Sequence, residues 1–153
     1  MEKYQENLAN AVKSLKIADH ILYITYPVIK DKRLLLKSLD SIYDAMVDII
    51  NSFLQYDYIW KRIRLSPDPK NNFEIFINQS SKNNNITREE VREILDFFSV
   101  IEEHRKSPME FKRKEKIVIM NSDLHTTTID PDRIKKYLSL TRRIFERARF
   151  MLK

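Results

Sequence analysis

Three histidines, a row of aspartates and a dense run of lysine and arginine are the residues of this chain best suited to chemistry. His20, His104 and His125 are the acid–base candidates, because imidazole titrates near neutrality without assistance. His20 lies in an apolar helical stretch, where a packed or interface histidine is the commoner outcome. His104 closes a helix, a position that favours a cation without any further role. His125 stands two residues from Asp123, so on a strand both side chains share a face. Zinc sites take three or four ligands; no third is visible, and no metal is expected. Asp40, Asp44 and Asp48 recur every fourth residue and set three like charges in one helical row. That row needs water, a cation or a basic partner, and the expected partner is the cationic last helix of the same bundle.

The most unusual stretch runs from His104 to Lys116, with six Lys/Arg in thirteen residues. Charge at this density suits phosphate contact, where each neutralised phosphate releases counterions. Arg105, Lys106, Lys112, Arg113, Lys114 and Lys116 are therefore the candidate nucleic-acid contacts, with Phe111 anchoring the block by packing. Arg142 and Arg143 on the last helix extend the patch. The +6 net charge is unevenly spread. Residues 104–153 hold 14 Lys/Arg against six Asp/Glu, whereas residues 1–103 hold 14 against 16. A basic third on a near-neutral body points to a polyanion, RNA first, or to an acidic protein surface. Tyr56 to Arg64 interleaves aromatics with bases, a pattern able to stack on single-stranded bases; packing of Trp60 and the tyrosines is the simpler expectation.

The chain of 153 residues contains no glycine and no cysteine. Without glycine there is no Walker A loop, dinucleotide fingerprint or G-x-S-x-G elbow. Without cysteine, thiol catalysis, iron–sulfur ligation and cysteine-based zinc sites are closed. No cofactor is implied. The longest strongly apolar stretch, Ile21 to Ile29, falls far short of the ~20 residues that span a membrane. The first residues lack a basic-then-apolar leader pattern, so a cytoplasmic protein with no membrane partner is expected.

The length fits one domain, residues 1–153. Leu8, Val12, Leu15, Ala18 and Leu22 predict a first helix from Tyr4 to about Tyr26, which Pro27 ends or kinks. Leu35, Leu39, Ile42, Met46, Ile49 and Phe53 predict a second helix from Asp31, reaching as far as Leu65. Ser66-Pro67-Asp68-Pro69 stops it, a short segment near Phe73–Ile77 follows, and Ser80 to Asn85 reads as a mobile loop. Thr87-Arg88-Glu89-Glu90 is a capping box that opens a helix with Glu89, Glu90, Glu93 and Asp96 mostly outside. Ser107-Pro108-Met109-Glu110 predicts a further short helical turn to Lys114. Lys116–Met120 and Leu124–Ile129 predict a hairpin, and Asp130-Pro131 caps a last helix. The sum is an all-α bundle of four to five helices with a small β-hairpin inserted before the last.

Residues 11–20 (Ala-Val-Lys-Ser-Leu-Lys-Ile-Ala-Asp-His) and 39–46 (Leu-Asp-Ser-Ile-Tyr-Asp-Ala-Met) resemble the opening of a HEPN-type helical domain. The Ser107-Pro108-x-Glu110-Phe111-x-Arg113-Lys114 block is similar to one in uncharacterised archaeal helical proteins of about this length. The HEPN resemblance reaches about Leu54 and implies a helical bundle, commonly a homodimer. It also implies RNA as a partner, and in many members ribonuclease activity from an Arg followed four to six residues later by His. No arginine stands in that position before His20, His104 or His125. The expectation is a non-enzymatic RNA-binding module. The alternatives are a scaffold docking an acidic partner, or a degenerate ribonuclease using His104 or His125 with Arg113.

Overall fold

Apolar residues at three- and four-residue steps wind the first thirty positions into α1 (Lys3–His20), opened by reciprocal capping between Glu2 and Gln5. The helix does not stop at the proline. A π-helical turn spans Ile21–Thr25, where the Tyr26 N–H reaches back five residues to the Ile21 carbonyl, and α2 (Tyr26–Ile29) follows directly. Pro27 has no N–H, and its ring crowds the carbonyl four residues earlier; the widened turn just before it absorbs both defects. The computed structural model describes residues 1–106, 109–113, 116–120 and 126–153, with 109–113 and 116 described by their backbone.

Asp31 accepts from the Arg33 N–H at 2.9 Å and caps α3 (Lys32–Ile59). Its seam from Leu35 to Phe53 is fully buried and forms the centre of the core. Tyr4 at the start of α1 meets Tyr56 near the end of α3 edge to face at 5.2 Å, so these two helices run antiparallel. After Ile59 the chain turns back instead of continuing to Leu65: Lys61 takes a left-handed φ of 59°, and the Arg62 N–H bonds to the Asp57 carbonyl at 2.8 Å. In a chain without glycine, Lys30, Lys61 and Asn85 supply the positive-φ turns among the described residues. Left-handed geometry crowds a Cβ. Lys61→Gly is therefore expected to stabilise the fold by about 0.5–1 kcal/mol in urea unfolding, after the entropy glycine adds to the unfolded chain.

Asp68 caps α4 (Pro69–Ile75), which runs through a second π-helical turn (Phe76–Ser80) into the single turn α5 (Ser81–Asn83). The expected loop at Ser80–Asn85 is thus largely helical, and Ser80, Ser81 and Asn84 are buried. Two of its buried polar residues have internal partners: Ser81 Oγ donates to the Ile77 carbonyl at 2.6 Å, and Asn84 Nδ2 donates to Asp57 Oδ2 at 3.0 Å and to the Ser80 carbonyl at 2.9 Å.

The Thr87 capping box opens α6 (Arg88–Lys106) as predicted, with both reciprocal bonds at 3.0 Å. Three antiparallel strands follow: β1 (Met109–Arg113), β2 (Lys116–Met120) and β3 (Thr126–Ile129), in the order β1-β2-β3. The predicted hairpin is β2–β3, in register from Ile117 opposite Ile129 to Met120 opposite Thr126. Of the helical turn expected from Ser107 to Lys114, Met109–Arg113 is β1 instead; Ser107, Pro108 and Lys114 lie outside the described residues. A lone turn leaves most of its backbone groups unpaired, whereas β2 offers this segment a ladder from Met109 opposite Met120 to Arg113 opposite Lys116. Ile117, Ile119 and Ile129 bury the sheet against the bundle, and Thr127 Oγ1 donates to Glu103 of α6.

Asp130 then caps α7 (Pro131–Met151), accepting from the Arg133 N–H at 2.8 Å. This helix runs antiparallel to α6 and parallel to α3. The architecture is the expected helical bundle with a β-hairpin before its last helix, the hairpin carrying one extra strand. No helix among the described residues is long and apolar enough to cross a membrane.

Candidate functional site

The amphipathic pattern of α7 turns Ile134, Leu138, Thr141 and Phe145 inward and leaves its arginines at the flanks. Nearly every one of them meets an acceptor. Arg142 pairs with Asp19 of α1, and Arg143 Nη2 lies 3.0 Å from Glu93 Oε2 of α6. The two side chains are about half exposed and point to opposite neighbours, so they do not form one surface. Arg149 pairs with Glu146 at 3.2 Å, and Lys135 sits 4.9 Å from the Tyr23 ring centre. Arg147 reaches both oxygens of Glu90, at 3.2 and 3.3 Å, and the Asn85 carbonyl.

Glu90 is the exception to the expected outward row of α6 acids, because its side chain is only 7% exposed. The capping box folds it back over the helix start, and Arg147 covers it. Burial pushes its carboxyl up, but the Thr87 N–H and the Arg147 guanidinium outweigh burial and hold it below the ordinary glutamate range.

Between α6 and α7 lies an open cleft of about 720 Å³ with Arg92 and Lys136 on its rim. At its centre Tyr137 Oη donates to Asp96 at 2.9 Å and accepts from Arg133 Nε at 2.9 Å. Burial, reinforced by the bond to Asp96, pushes the phenol up to about 12 despite the guanidinium. A tyrosine so held stays protonated and locks α6 to α7; it is neither base nor nucleophile. The sequence reading missed this node, although Arg133 and Tyr137 are spaced four apart on one helix face.

Among the described residues no ion pair joins the acid row to α7. Asp40 instead lies 3.8 Å from His104 Nε2 at the end of α6. Burial, then the neighbouring Asp44, pushes the Asp48 carboxyl above the ordinary aspartate range. A raised folded value makes the protonated form the stabilising one. That contribution is complete below the unfolded value near 3.9 and is lost as pH rises through the folded one. Asp48→Asn should therefore gain about 0.2–0.5 kcal/mol at neutral pH and nothing near pH 3, read by urea unfolding at both. No group of three His, Cys, Asp or Glu side chains able to hold a metal occurs among the described residues. Asp123 and His125 lie outside them. His20 is exposed on α1 with its Nδ1 3.1 Å from Thr25 Oγ1, so it is not a core residue.

The basic block is split between a helix end and a hairpin. The Arg105 guanidinium stacks over Tyr43 at 4.0 Å, and Lys106 lies 2.5 Å from Glu102. Lys112 and Arg113 end β1 and Lys116 begins β2; Lys114 lies outside the described residues. The register sets Arg113 directly opposite Lys116. In the second candidate segment Tyr56 packs on Tyr4, but Tyr58 and Trp60 are 53% and 60% exposed, contrary to the packing expectation. The chain turns sharply at Trp60–Arg62, which carries the last aromatics off the core. No family model matches the chain, and neither the curated proteins nor the solved structures give a match.

Proposed function

We propose that the chain is a non-enzymatic, HEPN-like module that binds RNA through the basic segment 105–116. One observation carries the reading. Four carboxylates of the body are engaged by α7, as Asp19, Glu90, Glu93 and Asp96 meet Arg142, Arg147, Arg143 and Arg133. Residues 105–116 add a local excess, six Lys/Arg against two Glu, and the hairpin register sets Arg113 opposite Lys116. Phosphates complete such a surface, and their contacts are largely independent of base sequence. The α1–α3 antiparallel pair, which carries the HEPN resemblance, serves as the scaffold. An RNA partner accords with a cytoplasmic setting.

The test is a fluorescence-anisotropy titration of single-stranded and duplex RNA at low and moderate salt. Binding should weaken steeply with salt, each phosphate neutralised on a single strand contributing about −0.7 to the log–log slope. Absence of binding at low salt overturns the reading and leaves an acidic protein surface as the partner.

A further inference from the structure

β1 is an edge strand: it pairs with β2 on one side and with no strand among the described residues on the other. An unpaired row of backbone N–H and C=O groups is a template for another strand. Proteins usually blunt such edges with like charge. Here the five residues Met109-Glu110-Phe111-Lys112-Arg113 are arranged differently, with opposite charges placed symmetrically about an aromatic.

We propose that two copies of this chain associate through antiparallel pairing of their β1 edges, about a two-fold axis at Phe111. In that register Glu110 stands opposite the partner's Lys112, Lys112 stands opposite the partner's Glu110, and Phe111 stands opposite the partner's Phe111. Opposite charges and aromatic pairs directly across an antiparallel ladder are both favourable. The contact is self-complementary, as an isologous interface must be. It joins two three-stranded sheets into one of six. Register is specified as well. A two-residue slip in one direction sets Glu110 against the partner's Glu110, and a slip in the other sets Lys112 against the partner's Lys112. The pairing rests on strand order and sequence, not on the RNA reading. Five paired residues make a small contact, so the dimer is weak, with a Kd of about micromolar order.

Sedimentation velocity on the full chain, free of nucleic acid and at rising concentration, reads this directly. The wild-type chain should dimerise. Glu110→Lys alone and Lys112→Glu alone each set like charges opposite one another twice, and each should weaken the dimer about tenfold or more. An equimolar mixture of the two single variants should form a heterodimer, and the double swap should dimerise again. Circular dichroism of each variant checks that the fold persists, and recovery on mixing excludes misfolding as the cause of the loss. A chain that stays monomeric at several hundred micromolar overturns the proposal. So does a dimer indifferent to both single changes, which would place the contact elsewhere. A wild-type chain that dimerises but does not bind RNA at low salt would count against the functional reading alone.

Discussion

Replacing Asp57 with alanine is expected to lower the unfolding free energy by about 2–3 kcal/mol, a large part of the ~5–15 kcal/mol typical of a domain. Asp57 is fully buried near the end of α3, and its two oxygens have different partners. Oδ1 meets Arg62 Nη1 at 3.3 Å, and Oδ2 accepts from Asn84 Nδ2 at 3.0 Å. One carboxylate thus ties the turn after α3 to the helical segment before α6. Truncation leaves the Asn84 amide short of an acceptor in the core and frees Arg62. Because the Arg62 side chain is 46% exposed, it rehydrates, which keeps the cost below that of a wholly buried pair. Asp57→Asn retains an acceptor for Asn84 and should lose about half as much. Urea unfolding at neutral pH separates the two variants.

Glu90→Ala should cost about 2–3 kcal/mol at neutral pH, combining loss of the capping box with an uncompensated Arg147. Its signature is acid dependence. The folded carboxyl sits below its ordinary range, so its contribution is present above the unfolded value near 4.3 and is lost as pH falls through the folded value. The stability gap between wild type and Glu90→Gln should therefore narrow from pH 5 toward pH 3. A gap that stays constant with pH would mean that the Arg147 contact adds nothing electrostatic.

Local signals in the sequence were read most accurately where backbone capping alone decides the outcome. Asp31, Thr87 and Asp130 each open the helix expected there, whereas Asp68, expected only as part of a helix stop, also caps α4. Pro27 shows the limit of that reasoning, since the local cost of proline was real but a π-helical turn accommodated it. Met109–Arg113 carries a helix-start signal, and only the presence of β2 makes it a strand. Ser80–Asn85 reads as a loop because nothing nearby in sequence shows that Asp57 would receive Asn84. The same holds for charge. Counting residues locates the basic third of the chain, but only the packing of α7 against α1 and α6 shows which arginines are answered internally.

On the proposed reading the two halves of the basic third differ: α7 pairs with carboxylates of the bundle, whereas 105–116 meets the polyanion. The most direct test of that reading compares two paired variants in the anisotropy assay with single-stranded RNA. Lys112→Gln with Arg113→Gln should weaken binding about tenfold or more and flatten the salt slope by about 1.4. Arg142→Gln with Arg143→Gln should change affinity less than about twofold, because those side chains already have carboxylate partners in exposed pairs. The opposite ranking, or equal loss from both, would contradict the account.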